Sequence, residues 1–209
     1  MVLARLVEKY PELAECVPDI ERAYAAWSAS YHRGCKTLVC GNGGSAADSE
    51  HIAAELMKGM LAQRPLPPPE QAHLRELFGE QGELLASRLQ GALPAISLVS
   101  HTSLLTAFAN DVAADMAFAQ QVYAYGKKGD VLLALSTSGA STNILHALRV
   151  ARARGLTTLG LTGGSGGEMR TLCDVLIRVP CSDTVDIQER HLPIYHALCT
   201  MLEQEFFGE

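Results

Sequence analysis

Five short apolar runs are the strongest constraint on what this chain can fold into: KTLVC (36–40), AISLV (95–99), VLLALS (131–136), TTLGLT (157–162) and DVLIRV (174–179). The runs are continuous rather than alternating, so both faces of each need cover, as in the strands of a parallel sheet. Gly, Ser or Thr follows the first four, and helical patterning then resumes, as in SAADSEHIAAELMKGM (45–60) and SGASTNILHALRVARARG (138–155). Strand, loop and helix in repetition specify an α/β fold. The expectation is one doubly wound domain over residues 1–209, with a five-stranded parallel sheet flanked by helices.

The flanks of this pattern are also helical. Residues 2–33 carry helical periodicity interrupted by Pro11 and Pro18, with Asp19 placed to cap IERAYAAWSASYHRG and Gly34 to stop it. Residues 186–207 read as a last helix, in which Pro193 lacks a backbone donor and is expected to kink the axis. This helix is apolar around much of its circumference, more than one packing face requires, which points to a subunit contact. Residues 63–91 break the rhythm. They open with QRPLPPPEQ and continue as an amphipathic helical pattern, so they are expected to form a helical insertion: a lid, a subunit contact or a decoration.

Composition narrows the function classes. With 209 residues and 48% hydrophobic side chains the chain can bury a core, which excludes a disordered protein. Seventeen Lys and Arg against 23 Asp and Glu argue against a nucleic-acid partner. No apolar run is long enough to span a membrane, and MVLARLVEKYPELAE lacks the apolar centre of a signal peptide. Six cysteines form no CxxC pair, and Cys40, Cys173 and Cys199 lie within apolar runs as small core hydrophobes. A cytoplasmic protein with reduced thiols is expected.

In sheets of this class ligands bind beyond the carboxyl ends of the strands. Two loops fall there. Gly41-Asn42-Gly43-Gly44-Ser45 joins the first strand to a helix, and its glycines admit an anion close to the backbone at a helix N-terminus, unless they make only a tight turn. The loop satisfies GxGxxA, but the next strand ends Leu98-Val99-Ser100-His101 without an acid for a ribose, and GxxxxGK[ST] is absent. No nucleotide cofactor is expected. The second loop, Ser136-Thr137-Ser138-Gly139-Ala140-Ser141, places four hydroxyls at a helix N-terminus. A single Ser or Thr suffices as a cap, so four favour a neutral cup for a phosphate dianion.

Proton-moving candidates lie on two helical stretches. His51 and Glu55 are four apart, hence on one face, and Gln188 and His196 are eight apart, about two turns. On a surface such pairs are unremarkable. Beside a phosphate cup, a carboxylate and imidazoles can move protons on a phosphorylated substrate, or the two histidines and Glu55 can hold zinc with Gln188 as a weaker fourth ligand. The histidines at 32, 73, 146 and 191 have no comparable setting.

These motifs in this order resemble the phosphoheptose isomerases (sedoheptulose-7-phosphate isomerases) of the sugar-isomerase, or SIS, fold. The resemblance rests on GNGGSAADSEHIAAE (41–55), Val99-Ser100-His101, Asn110-Asp111, GDVLLALSTSGAS (129–141), Leu161-Thr162-Gly163, and Ile187-Gln188-Glu189 with His191 and His196. It implies a phosphosugar site lined by Asn42, Gly43, Gly44, Ser45, Asn110, Asp111, Ser136, Thr137, Ser138, Ser141 and Gln188. It further implies Glu55 and His196 as the proton-transfer pair, and zinc on His51, Glu55, Gln188 and His196. A homotetramer with sites near subunit contacts is expected, interconverting a ketose and an aldose phosphate, most simply sedoheptulose 7-phosphate and D-glycero-D-manno-heptose 7-phosphate. The competing function is a non-catalytic phosphosugar-binding or replication-initiator-associated SIS module, which would not need both Glu55 and His196.

Overall fold

The structure, a computed structural model, describes residues 1–208. In chain order the elements are α1 (Val2–Lys9), a 3-10 segment (Pro11–Cys16), α2 (Val17–His32), β1 (Thr37–Cys40), α3 (Gly44–Met57), α4 (Pro68–Phe78), α5 (Glu80–Arg88), β2 (Ala95–Ser97) and α6 (Thr102–Phe108). A π-helical turn (Ala109–Ala113) and a 3-10 turn (Ala114–Met116) then lead to α7 (Ala117–Tyr125). The remainder is β3 (Val131–Leu135), α8 (Thr142–Ala153), β4 (Thr157–Thr162), α9 (Met169–Leu172), β5 (Val175–Arg178) and α10 (Thr184–Phe207).

All five expected strands form, and they pair in parallel in the order β2-β1-β3-β4-β5. After β1 the chain winds outward to β2, then returns to β3 on the other side of β1. The β1 and β3 loops therefore diverge at the topological switch point, where such sheets open a crevice. Every residue of β1 and β3 is buried, as their continuous apolar character requires. Side chains alternate between two cores. Leu133 joins Trp27, Ile52, Leu198 and Leu202 on the face covered by α2, α3 and α10. Leu132 joins Phe118, Ile144 and Leu148 under α7 and α8.

Several expectations about the helices change. Pro18 does not interrupt its helix but lies in the first turn of α2, where a missing N–H costs nothing. Asp19 is consequently inside the helix, accepting from Arg22 at 2.5 Å, rather than capping it. The segment 63–91 is a helical hairpin, not one helix: Gly79, at φ 55°, divides α4 from α5. Its base is closed by a Pro65–Gln90 bridge and by Gly91 N–H donating to Arg64 O at 2.7 Å. The last helix runs from Thr184 through Pro193 to Phe207 in one piece, starting where the Asp183 carboxylate accepts from Val185 N–H. Ile194, Tyr195, Leu198, Cys199 and Leu202 are buried within this chain, whereas Val185 and Leu192 of the same helix stay exposed. The cysteines are all unpaired, and Cys173 is only half-buried, unlike Cys40 and Cys199. Among the described residues no helix is long and apolar enough to cross a membrane.

One buried group makes stability pH-dependent. His191 on α10 is fully buried with no hydrogen-bond partner at either ring nitrogen. Burial pushes its pKa down from 6.5 to about 4. The unfolded chain thus binds the extra proton first. The contribution is full above pH 6.5 and is lost as the pH falls towards 4. Chemical denaturation should show the wild type losing about 2 kcal/mol more than His191→Leu between pH 7 and pH 5. Equal losses would show that His191 is not the acid-sensitive group.

Candidate active site

The β1 loop turns directly into α3. Gly43 adopts φ 55° at the helix start, a conformation that favours glycine, and Gly41 lies so close to the Ser45 carbonyl that a Cβ would collide with it. Asn42, Gly43 and Gly44 are exposed at the mouth of the crevice, whereas Ser45 is sealed beneath them, its carbonyl accepting from Ser49 Oγ at 2.7 Å. A Cβ at Gly44 would stand 2.6 Å from Gln188 Nε2, so this glycine is what lets Gln188 reach the loop.

The β3 loop gathers serine hydroxyls at the start of α8. Ser136 Oγ and Ser141 Oγ are 3.0 Å apart, and Ser138 Oγ accepts from Ala140 N–H at 3.2 Å. Ser141 stands at the N-cap of α8 yet makes no capping hydrogen bond with its side chain. Ile144 N–H is taken by Asn143 Oδ1 at 3.0 Å, which leaves the Thr142 and Asn143 N–H groups at the start of α8 for an anion. Thr137 O accepts from Gly163 N–H at 3.0 Å, and Ile187 of α10 packs on Gly163. The first turns of α10 therefore touch the glycine loop directly, through Gln188, and reach the β3 loop through Gly163.

Asn143 ties the two loops across the switch point. Its side-chain amide exchanges two hydrogen bonds with that of Asn42, at 2.9 and 2.8 Å. Sequence reasoning missed this residue, whose partner lies 101 positions away.

Helices α3 and α10 run side by side in the same direction. Gln188 meets Gly44, Tyr195 meets Asp48 and His51, and Glu203 meets the chain just beyond α3. On the facing sides His51 Nε2 is 3.3 Å from Glu55 Oε1, and the His51 and His196 rings meet edge to face with centroids 5.1 Å apart. Glu55 Oε2 is buried without a partner. Burial, and then the neighbouring His51, hold the His196 imidazole below its usual range, with Glu55 acting the other way. His196 is thereby kept neutral at neutral pH, able to accept a proton and return it.

Beneath this group Glu203 and Arg64 are buried together. The Glu203 carboxylate accepts from Met60 N–H (2.7 Å), Leu61 N–H (2.8 Å), Ala62 N–H (3.2 Å) and Arg64 Nε (2.9 Å). Arg64 also donates to the carbonyls of Leu56 (2.8 Å) and Glu55 (3.0 Å), which fixes the end of α3 against α10.

The structure thus brings together Glu55, His51 and His196 on two helices of one chain, and Asn42, Gly44 and Gln188 at the glycine loop. Asn110 and Asp111 do not join them. They are exposed on the π-helical turn, and among the described residues their side chains bond only to each other, at 2.7 Å. Among the described residues no three His, Cys, Asp or Glu side chains converge as a ready-made metal site.

Known proteins match both the sequence and the architecture. The SIS domain family model matches residues 71–163. A phosphoheptose isomerase of Burkholderia pseudomallei (strain 1710b) is 43% identical over 190 residues, 91% of this chain and 83% of that protein. One from Rhodospirillum rubrum is 42% identical over 191 residues, covering 91% and 88%. Among solved structures, the phosphoheptose isomerase of Neisseria gonorrhoeae superposes with a TM-score of 0.73 at 33% identity, covering 96% of this chain and 94% of that one. At these identities over most of both chains, and with the same fold, the chain belongs to the phosphoheptose isomerase family of SIS-fold enzymes and is an isomerase.

Proposed function

We propose that this protein interconverts sedoheptulose 7-phosphate and D-glycero-D-manno-heptose 7-phosphate through an enediol. The observation that carries the reading is the convergence of Glu55, His51 and His196 on α3 and α10, beside two anion-ready loops at the switch point. The phosphate sits in the cup of Ser136, Thr137, Ser138 and Ser141. Glu55 takes the proton from C1 of the ketose as the C2 carbonyl becomes an enediol hydroxyl. Return of a proton to C2, with loss of the C1 hydroxyl proton, completes the aldose. His196 moves the oxygen-bound proton or opens the sugar ring. Asn42, Gly43, Gly44 and Gln188 orient the sugar, with Asn110 and Asp111 closing on it.

Zinc belongs to the same proposal. Two imidazoles, a carboxylate and an amide oxygen are donors such an ion takes, and Glu55 Oε2 is a buried acceptor without a partner. His51, Glu55, Gln188 and His196 would hold it, and when bound it would polarise the substrate carbonyl as a Lewis acid. Elemental analysis of the wild type and of His51→Ala tests this; equal zinc in both would exclude the set.

We further propose one SIS unit over residues 1–209, assembled as a cytoplasmic homotetramer. The apolar side chains left exposed by the chain, Leu77, Phe78, Leu84 and Leu85 on the hairpin and Val112 beside Asp111, support a subunit contact there. Light scattering of the wild type should give four chains, and a monomer would refute it.

Phosphate recognition is separable from chemistry. Ser138→Ala and Ser141→Ala should each weaken phosphosugar binding by about 1.5–3 kcal/mol in calorimetric titration. If the dephosphorylated sugar binds the wild type equally well, the loop is only a helix cap.

The hairpin is treated as accessory. Because its ends meet at the Pro65–Gln90 bridge, a short Gly/Ser linker in place of 66–89 should leave a cooperatively folded protein, as loop length adds little closure entropy. A variant with no thermal transition would place the hairpin in the folding unit.

A further inference from the structure

Asn42 stands between Gly41 and Gly43, and a glycine on either side leaves its place dependent on tertiary contacts. Its main chain is pinned at one point, where Asn42 O accepts from Ser45 N–H at 3.0 Å. Its side chain has one partner among the described residues, Asn143 in the first turn of α8, 101 positions away. Asn42 Nδ2 donates to Asn143 Oδ1 at 2.9 Å, and Asn143 Nδ2 donates to Asn42 Oδ1 at 2.8 Å. Asn42 is exposed and Asn143 half-buried, so both stand at the crevice surface.

A donor count fixes which way both amides face. Asn143 Oδ1 also accepts from Ile144 N–H at 3.0 Å. A main-chain N–H only donates, so Asn143 cannot turn over without setting two N–H groups against each other. With Asn143 fixed, the Asn42 atom opposite its oxygen must be the nitrogen. The start of α8 therefore sets the orientation of a side chain on the glycine loop. An amide side chain carries two N–H groups and an oxygen with two lone pairs. Both lone pairs of Asn143 Oδ1 are taken, whereas each nitrogen keeps one N–H and Asn42 Oδ1 keeps one lone pair. The pair thus retains two donors and one acceptor for a ligand between the two loops.

We propose that Asn143 is a positioning residue that acts through Asn42: held by its own helix, it keeps the Asn42 amide in the one orientation that meets the oxygens of the sugar. The proposal rests on the reading of this crevice as a phosphosugar site. The phosphate takes the serine hydroxyls and the Thr142 and Asn143 main-chain N–H groups, none of which belongs to the Asn143 side chain. Truncating that side chain leaves the anion these donors and frees Ile144 N–H as well. Asn42, in contrast, loses its partner and turns freely. The loss therefore falls on the sugar and not on the phosphate.

Calorimetric titration of wild type, Asn42→Ala, Asn143→Ala and the double variant with sedoheptulose 7-phosphate, and separately with inorganic phosphate, tests this. Neither side chain is buried, so the variants should fold. Each single substitution should weaken phosphosugar binding about 3–10-fold, the worth of one hydrogen bond between neutral groups. The double variant should be no weaker than Asn42→Ala alone, because Asn143 then has nothing to position. All three should bind inorganic phosphate at least about half as tightly as wild type, a result that general damage to the loops would not give. Losses that multiply in the double variant would overturn the proposal. So would an Asn143→Ala protein that loses inorganic phosphate as strongly as phosphosugar, or one that binds phosphosugar like wild type. A wild type that binds sedoheptulose 7-phosphate no more tightly than inorganic phosphate would also overturn it, since no sugar oxygen is then read. Turnover in the same samples separates this from the assigned reaction. A wild type that shows the coupling without isomerising upholds Asn143 and removes the reaction, and an active wild type with multiplied losses does the reverse.

Discussion

Replacing Glu55 with Gln should lower turnover by about 10²–10⁴-fold while phosphosugar affinity stays within a few-fold of wild type, since a positioned proton-transfer group contributes that much. The substitution keeps the size of the side chain and one acceptor oxygen beside His51, so the site retains its shape and loses the base. The phosphate cup is on a different loop and does not touch Glu55, which is why binding should survive. Steady-state kinetics paired with titration separates the two effects, and metal content must be measured in the same samples. Turnover close to wild type would remove Glu55 from the mechanism. Because Glu55 and His196 face the same centre within one chain, co-refolded Glu55→Gln and His196→Asn proteins should not restore each other's activity.

Breaking the Arg64–Glu203 pair should be the most destabilising single change near the site. Both side chains are at most 2% exposed. Burial raises the cost of the Glu203 charge, yet the Met60 and Leu61 N–H groups, the Arg64 guanidinium and the Ala62 N–H outweigh it and hold the carboxyl below its ordinary range. Glu203→Ala leaves a buried guanidinium without its counter-charge, a loss of about 3–5 kcal/mol. For a chain of this size that corresponds to a melting temperature lower by roughly 10 °C. Replacing both Arg64 and Glu203 with Met should recover only part of the loss, because it removes both buried charges but leaves the Met60, Leu61 and Ala62 N–H groups without their acceptor. The pH sign follows from the lowered carboxyl: the pair stabilises fully above pH 4.5 and loses its contribution as the pH falls below that. Scanning calorimetry showing Glu203→Ala within about 1 kcal/mol of wild type would contradict this account.

The fold was legible where one physical requirement acted on contiguous residues. Five apolar runs had to be covered on both faces, and all five became strands of the sheet. Pro18 was misleading because proline is tolerated in a first helical turn and only forbidden further in. The hairpin was hidden because Gly79 ends one helix and starts the next without a visible loop. The last helix was legible only in part: an apolar circumference reports that cover is needed, and this chain buries Ile194, Leu198 and Leu202 while leaving Val185 and Leu192 exposed.

The site was legible in the same proportion. His51 and Glu55 declared themselves through helical spacing, and the serine cup through an excess of hydroxyls over what a cap requires. Tyr195 and Asp48 are separated by 147 positions, and Arg64 and Glu203 by 139. No local pattern joins such partners, although Asp48, one turn before His51, could have been placed on the same face.

The central claim is proton transfer between C1 and C2 of a phosphorylated heptose, and its direct test is incubation with sedoheptulose 7-phosphate in deuterium oxide, followed by NMR of the products. The account predicts D-glycero-D-manno-heptose 7-phosphate carrying solvent deuterium at C2, with both product and label lost in Glu55→Gln. Ketose recovered unchanged and unlabelled from the wild type, loaded with zinc and shown to bind the phosphosugar, would contradict it.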